Sequence, residues 1–256
     1  MRRFIQLIIF IVMAFSSWST GMGADNGSPE ALFFKANQAY RDSRFQEAID
    51  DYTRLIQDGY DNGHLYYNLG NAYFRQNEIG KAILFYERAY RLIPRDADLK
   101  FNLGYALDQT RDAIPKNQGF MNTTFFWLNA LNLVELFWGF AVLNVLFWGV
   151  LLSRLFFQRE WTYYVLIVCL VFWLIAGLSF GLKWYQLAND DRAVILDEEV
   201  RVLAGPDVND TVLFKLHEGT IVAVERSEDG WSLVRLPDKK RGWLRGDTIE
   251  EIRKTS

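Results

Sequence analysis

The sequence contains little cysteine and little histidine. Cys169 is the only cysteine among the 256 residues, so neither an intrachain disulfide nor a cysteine-ligated metal cluster is available. The two histidines, His64 and His217, lie far apart along the chain. Because a reaction needs several chemically capable side chains in one place, we expect no enzyme activity, no metal and no cofactor.

The chain also lacks a surplus of basic residues. Lys and Arg total 28 against 31 Asp and Glu, which gives a net charge of −3 at pH 7. Proteins that bind nucleic acid usually gather positive charge in a stripe or tail to meet the phosphate backbone. No such stripe or tail is present, and we expect no nucleic-acid partner.

Two long apolar segments organise the rest of the chain. Leu131–Leu152 carries Glu135 near its start as its only charge, and Trp161–Leu182 carries none. Each has 22 residues. At about 1.5 Å of rise per residue, each helix would match the hydrocarbon thickness of a bilayer. The short connection predicts two transmembrane helices forming a hairpin over 125–185. The alternative is a buried helix pair in a large soluble core.

The flanks of the hairpin predict its orientation. Arg154 and Arg159 lie in the short connection, and short loops rich in Arg or Lys stay on the cytoplasmic side. Both flanking regions would then be exported. The N-terminus gives independent support for export. Residues 1–23 have the pattern of a signal peptide, with two arginines, then an apolar run, then small residues before Ala24. An uncleaved anchor is the alternative.

Internal repetition marks residues 29–114. Asn68–Ala72 recurs as Asn102–Ala106, and Glu47–Ile49 recurs as Lys81–Ile83, each with one difference and at an offset of 34 residues. A 34-residue period of helix pairs is the signature of tetratricopeptide repeats, which this region resembles. The resemblance implies an α-solenoid of about 2.5 repeats, with two full repeats and a third first helix.

The concave side of such a solenoid is our candidate binding site. First helices line this groove, and groove positions recur with the repeat period. We expect an extended or helical segment of a protein partner to bind there through aromatic contacts and asparagine hydrogen bonds. The alternative is that the aromatics pack against the next helix or under the hairpin. The candidate partner-binding residues are Phe33, Asn37, Tyr40, Tyr67, Asn71, Phe74, Phe101 and Tyr105.

Gly177–Gly181 matches the Gly-x-Ser-x-Gly pattern of serine hydrolases. That nucleophile motif needs a strand, a tight turn and a helix, whereas this segment lies within an apolar helix. Small residues four apart also allow two membrane helices to touch closely. We therefore predict that Gly177, Gly181 and Asn144 serve membrane-helix packing, with Asn144 hydrogen-bonded to another helix.

The C-terminal region 190–252 has the pattern of a small all-β barrel. Short alternating runs are separated by turn signals such as Gly205–Pro206. Gly230–Trp231 and Arg241–Leu244 resemble motifs of bacterial SH3-like domains, which implies a module that binds cell-wall peptides, proteins or its own chain. We expect the tryptophans of both motifs to pack in the barrel core. Six strands are predicted: 193–196, 200–203, 212–216, 221–226, 231–236 and 241–244.

The order of signal, repeats, hairpin and SH3-like barrel resembles, over nearly the whole chain, the BatE family of bacterial aerotolerance (Bat) operons. The resemblance implies a non-enzymatic protein of the bacterial inner (cytoplasmic) membrane, with both soluble domains on the periplasmic or extracytoplasmic side. We expect a scaffold or adaptor whose partners are proteins, other Bat-family membrane proteins among them. The alternative is a membrane anchor whose SH3-like domain contacts peptidoglycan in the cell wall.

The hairpin orientation predicts opposite labelling of two single cysteines. In a Cys169→Ala background, Asp210→Cys should react in cells with a membrane-impermeant thiol reagent, because the barrel is exported. Ser153→Cys should react only after permeabilisation, because the arginine-containing connection faces the cytoplasm. Equal labelling of both positions before permeabilisation would contradict this topology.

Overall fold

A computed structural model of the chain describes residues 28–112, 125–156 and 159–253. The predicted signal peptide lies outside these residues. Within them, the chain folds into an array of helices, a pair of long helices and a C-terminal antiparallel sheet. The helices are α1 (Pro29–Arg41), α2 (Phe45–Gln57), α3 (Gly63–Arg75), α4 (Ile79–Leu92), α5 (Ala97–Asp108), α6 (Phe126–Ala130), α7 (Leu133–Phe156) and α8 (Glu160–Ala188).

Capping side chains begin the first helix of each repeat. Ser28 Oγ accepts a hydrogen bond from Ala31 N at 3.2 Å, and Pro29 occupies the first helical position, where a missing N–H is harmless. Asn62 and Asp96 cap α3 and α5 with side-chain oxygens that accept backbone bonds of 2.8 Å. These polar residues therefore place the start of every helix that lines the concave side.

Small residues allow successive helices of the array to pack closely. Ala36 and Ala48 are fully buried where α1 meets α2. Gly70 lies against Tyr86, and a Cβ at Gly70 would come within 2.7 Å of that ring. The equivalent Gly104 would meet no atom within 4 Å, because the described chain places no further helix over α5. Over the residues that the structure describes, the array thus comprises two helix pairs followed by the single helix α5.

The two long helices α7 and α8 have 24 and 29 residues and are long and apolar enough to cross a membrane. The helix α7 begins two residues after the start of the predicted segment 131–152 and α8 begins one residue before 161–182, and both end beyond their predicted segments, at Phe156 and Ala188. At the start of α7, Asn132 Oδ1 accepts from Glu135 N at 2.8 Å and Glu135 Oε2 accepts from Asn132 N at 3.0 Å. This reciprocal cap gives Glu135 a structural role.

The C-terminal sheet has one strand more than the six predicted. Its antiparallel order is β3-β2-β6-β5-β4-β1-β7. With only three residues, β7 is too short to show alternation in the sequence. The core contains Val202, Val234 and Leu244. The strands are β1 (Arg192–Ile195), β2 (Glu199–Leu203), β3 (Val212–His217), β4 (Ile221–Glu228), β5 (Trp231–Arg235), β6 (Arg241–Arg245) and β7 (Ile249–Glu251).

The two tryptophans of the barrel have different environments. Trp243 is 7% exposed, beneath the Arg226 guanidinium, so its predicted burial is confirmed. Trp231 is only half-buried, lines surface cavities and carries the Arg245 guanidinium 6.0 Å from its ring centre. The prediction that Trp231 belongs to the core is wrong, because it opens β5 at a tight turn and its ring lies beside a cation rather than in the apolar interior.

The barrel packs directly on the repeat array. Val194 and Ile252 are buried in one apolar cluster with side chains of α4. Gly80 N donates to Glu218 Oε1 at 2.7 Å, and a Cβ on Gly80 would lie 2.7 Å from the Ile195 carbonyl oxygen. Only glycine permits this approach, so α4 and the barrel form one continuous body.

Asp112, just after α5, makes a second connection to the barrel. Its Oδ2 accepts from His217 N at 2.8 Å and from Thr220 Oγ1 at 2.7 Å, and its Oδ1 lies 3.0 Å from His217 Nδ1. Burial raises the pKa of Asp112, but hydrogen bonds from Thr220 and His217 outweigh it and hold the pKa below its ordinary value. The ionised carboxylate is therefore the form that joins the two domains.

Replacing Asp112 should weaken this connection. Asp112→Asn should lower the free energy of unfolding by roughly 1–3 kcal/mol, because donors are left with poorer acceptors. A depressed carboxylate pKa gives stability that is present above the unfolded pKa and is lost as pH falls through the folded one. Chemical denaturation of the detergent-solubilised chain at several pH values should therefore show that the free energy of unfolding falls less in acid for Asp112→Asn than for wild type. The exposed control Asp58→Asn should show the same acid dependence of stability as wild type. If Asp112→Asn also shows the wild-type acid dependence, the ionised Asp112 carboxylate does not stabilise the contact between the domains.

Candidate functional site

Asparagines of the predicted groove belong to a hydrogen-bonded relay inside the array. Asn37 Oδ1 accepts from the Tyr52 hydroxyl at 2.6 Å and from Asn68 Nδ2 at 2.8 Å. These three residues come from α1, α2 and α3, so the relay joins one repeat to the next. The Asn37 carboxamide oxygen is thus already engaged by its own chain.

The same relay recurs one repeat later. Asn71 Oδ1 accepts from the Tyr86 hydroxyl at 2.7 Å and from Asn102 Nδ2 at 2.9 Å, and Asn102 Nδ2 also approaches the Tyr67 hydroxyl at 3.0 Å. Burial raises the pKa of Tyr86, as it does that of Tyr52, so both hydroxyls keep the proton they donate. The relay residues Asn68 and Asn102 were not among the predicted site residues, although their 34-residue recurrence was visible in the sequence.

The predicted groove aromatics divide into packed and exposed residues. Phe33 is half-buried with its ring centre 6.0 Å from that of Tyr52, and Tyr40 meets Phe45 edge to face at 5.5 Å. Tyr67 is also half-buried, with its ring centre 6.0 Å from that of Tyr86. For these three aromatics, the contacts therefore agree with the alternative that the side chains pack against neighbouring helices of the array.

At the other end of the array, the aromatics form an exposed surface. Phe101 is 73% exposed and Tyr105 is 55% exposed, and their rings stack with centres 6.4 Å apart. Phe74, on the neighbouring first helix, places its ring centre 5.8 Å from that of Tyr105. We call Phe74, Phe101 and Tyr105 the aromatic platform. It brings together three of the predicted site residues, and the described part of the chain leaves Phe101 and Tyr105 uncovered.

Acidic side chains border the platform. Asp98, Phe101, Tyr105 and Asp108 fall three, four and three residues apart along α5, and residues at this spacing share one helix face. All four are exposed. The surface therefore offers an apolar centre with a carboxylate at each end, which suits a partner segment carrying apolar side chains flanked by basic ones.

The three residues predicted to serve membrane-helix packing, Gly177, Gly181 and Asn144, have different surroundings. A Cβ on Gly177 would lie 3.1 Å from the Phe140 ring, so Gly177 does allow α7 and α8 to approach. A Cβ on Gly181 would meet nothing within 4 Å. In the described part of the chain Asn144 makes no hydrogen bond through its side chain. A role for Gly181 and Asn144 in helix packing stays a prediction that requires another polypeptide.

A surface cavity of about 470 Å³ lies where the barrel meets the array. Arg88 lines it from α4, and Trp231, Ser232 and Glu250 line it from the barrel. Arg88 is held there by Glu250 at 2.8 Å and by the Glu251 carbonyl oxygen at 2.7 Å. An aromatic ring next to hydroxyl and charged groups makes this the candidate binding surface of the SH3-like domain.

Comparison with known families agrees with both soluble regions. A tetratricopeptide repeat model matches residues 35–97, and a bacterial SH3 domain model matches residues 197–251. The predicted repeat array and SH3-like barrel are confirmed as domain types. No curated protein matches the chain. The chain therefore joins two modules that typically mediate interactions rather than catalysis.

Among the residues that the structure describes, no group of three or more His, Cys, Asp or Glu could hold a metal ion. The Asp112–His217 pair is used in joining the two domains. The aromatic platform and the cavity beside Trp231 present apolar area and hydrogen-bonding groups, which are the features that bind a polypeptide.

The relay predicts different effects for two tyrosine hydroxyls. Tyr86→Phe should lower the free energy of unfolding by about 1–2 kcal/mol, because it removes a buried hydrogen bond and leaves Asn71 with one donor fewer. Tyr105→Phe removes an exposed hydroxyl and should leave stability nearly unchanged. Thermal unfolding followed by circular dichroism makes the comparison. Equal stability of the two variants would show that the relay does not hold the repeats together.

Proposed function

We propose that this protein is a membrane-anchored adaptor that holds a protein partner on the concave side of its repeats. The two interaction modules support an adaptor role. The observation that carries the proposal is the exposure of Phe101 and Tyr105, stacked on each other at the groove. Large aromatic surfaces of this kind supply much of the energy of protein interfaces.

The geometry favours one end of the groove over the other. Phe33, Tyr40, Asn37 and Asn71 mainly support the array, so we place the principal contacts on the aromatic platform at α5. Asn71 and Tyr67 bond to Asn102 and so keep α3 and α5 in register. The partner segment is expected to present apolar side chains to the platform and Lys or Arg side chains to Asp98 and Asp108.

The anchoring part of the proposal is supported by the ends of the long helices. Arg95 pairs with Glu135 at the start of α7, and Arg91 donates to the Leu187 carbonyl oxygen at the end of α8. Both ends thus adjoin the same soluble body, as a hairpin requires. Arg154 and Arg159 at the opposite end favour a cytoplasmic connection. The bacterial SH3 domain fits an extracellular or periplasmic location.

The domain order supports a narrower setting. Signal, repeats, hairpin and barrel in this sequence suggest a BatE-like protein of the bacterial inner membrane, working in a Bat aerotolerance or envelope-stress complex. The expected partners are then other Bat-family membrane proteins. A second candidate function is a peptidoglycan anchor, favoured by the half-buried Trp231 beside the cavity at the barrel surface.

Removing the platform should release the partner without unfolding the chain. Phe101→Ala with Tyr105→Ala deletes two exposed rings, and losses of about 2 kcal/mol per ring are typical where interface energy is concentrated. Co-purification from cross-linked native membranes, followed by mass spectrometry, should lose one set of membrane proteins. The helical content should be unchanged, because neither ring fills the core.

Phe34→Ala is the matched control. Phe34 is 62% exposed on α1 and lies outside the predicted groove, so its removal deletes one exposed ring elsewhere and matches Phe101→Ala alone, which is measured beside the double variant. Partner retention by the Phe101→Ala/Tyr105→Ala variant would exclude the platform as the docking site. Binding of wild type to purified sacculi that is lost in Trp231→Ala would instead favour the peptidoglycan anchor.

A further inference from the structure

Two arginines gather where α8 ends at the soluble body. Arg91 Nη2 donates to the Leu187 carbonyl oxygen at 3.4 Å, and Arg253 donates to the Ala188 carbonyl oxygen. The last carbonyl groups of a helix lack intrahelical partners and carry partial negative charge, so cations stabilise them. These bonds account for one N–H group of each guanidinium, and among the described residues the other donors of both side chains make no hydrogen bond.

The same two arginines line a cavity of about 170 Å³. Arg88 and Asp61 also line it. Arg88 is neutralised by Glu250 at 2.8 Å. In the described part of the chain, neither Arg91 nor Arg253 has a carboxylate within ion-pair distance. Among the described residues that line the cavity, Asp61 is the only acidic one, against three arginines.

The charge of Arg91 is poorly compensated by its surroundings. Burial lowers the pKa of its guanidinium; Asp190 and Asp61 act in the opposite direction, and Arg192 and Arg253 lower the pKa further. Asp190 is itself engaged by Arg192 at 2.8 Å. A half-buried arginine without a close counter-ion would gain from an anion in the cavity.

The cavity lies at the depth of lipid headgroups if α7 and α8 span a bilayer. Trp184 and Tyr185 are 58% and 62% exposed near the end of α8, where aromatic rings mark the membrane interface. Leu187 follows Trp184 by three residues, which is about 5 Å along a helix. Leu92, another lining residue, accepts a 3.0 Å bond from Asn132 Nδ2 at the start of α7. Both helix ends therefore open beside the cavity.

We propose that this arginine-lined cavity binds the phosphate group of an anionic membrane lipid from the leaflet next to the soluble body. Guanidinium groups present paired N–H donors that match phosphate oxygens. A volume of about 170 Å³ accommodates a headgroup phosphate while the acyl chains stay beside α8. The proposal rests on the anchoring part of the proposed function, but not on the aromatic platform.

The test measures lipid preference of the full-length chain. The purified protein is delipidated in neutral detergent, offered phosphatidylglycerol or phosphatidylcholine, and analysed by native mass spectrometry. Wild type should retain phosphatidylglycerol over phosphatidylcholine. Arg91→Gln with Arg253→Gln should reduce that preference about tenfold, because two charge-assisted contacts are lost. The matched control, Arg54→Gln with Arg201→Gln, removes two exposed arginines elsewhere and should keep it.

The ratio of the two lipids is compared within each variant, so a general loss of stability cancels. If the double variant does not fold, Arg253→Gln alone should lose part of the preference for phosphatidylglycerol. A lipid ratio in the arginine variant equal to that of wild type overturns the proposal. Equal retention of both lipids by wild type also overturns it. A separate arm adds inorganic phosphate to the delipidated protein. If millimolar phosphate raises the thermal stability but the protein shows no lipid preference, the cavity binds free phosphate and the proposal of a lipid ligand is overturned. Partner capture by the platform is scored separately, so failure of one proposal leaves the other intact.

Discussion

The burial of α4 on two sides is the constraint on which the rest of the structure depends. Gly80, Leu84 and Tyr86 are all buried on this helix, whereas α2, one repeat earlier, leaves Gln46 and Asp50 exposed. A helix with buried residues on two faces has to be covered on both of them. The neighbouring repeats cover one face of α4, and the barrel covers the other.

This difference between the repeats can be read from the sequence. Positions 80 and 84 align with 46 and 50 at the 34-residue offset, and glycine and leucine replace two polar residues. The pattern predicts that α4 is covered, but it does not say by what. The contact between Gly80 and Glu218 joins positions 138 residues apart, and a glutamate suits a solvated turn equally well. Pairings of this kind leave no periodic signal.

The candidate site was predictable in part, for a related reason. Recurrence at the repeat period selects residues that make the same contact in each repeat, and the asparagines at 37 and 71 recur because each receives a buried tyrosine hydroxyl. Tyr105 stands at the next recurrence and breaks the series. It lies on the last described helix of the array, where no following helix covers it, and it is exposed. At this position, recurrence therefore marks the packed side chains, and departure from the repeat pattern marks the exposed one.

The attachment of the soluble body to α7 and α8 also fixes how a partner would meet it. Asn132 donates to the Leu92 carbonyl oxygen at 3.0 Å, and only a few residues separate Ala188, at the end of α8, from Arg192, at the start of β1. If α7 and α8 span a bilayer, a body mounted this tightly would keep one height and tilt above it. A partner in the same bilayer would search for the groove in two dimensions and at high effective concentration, an advantage that a freely diffusing competitor of equal affinity lacks.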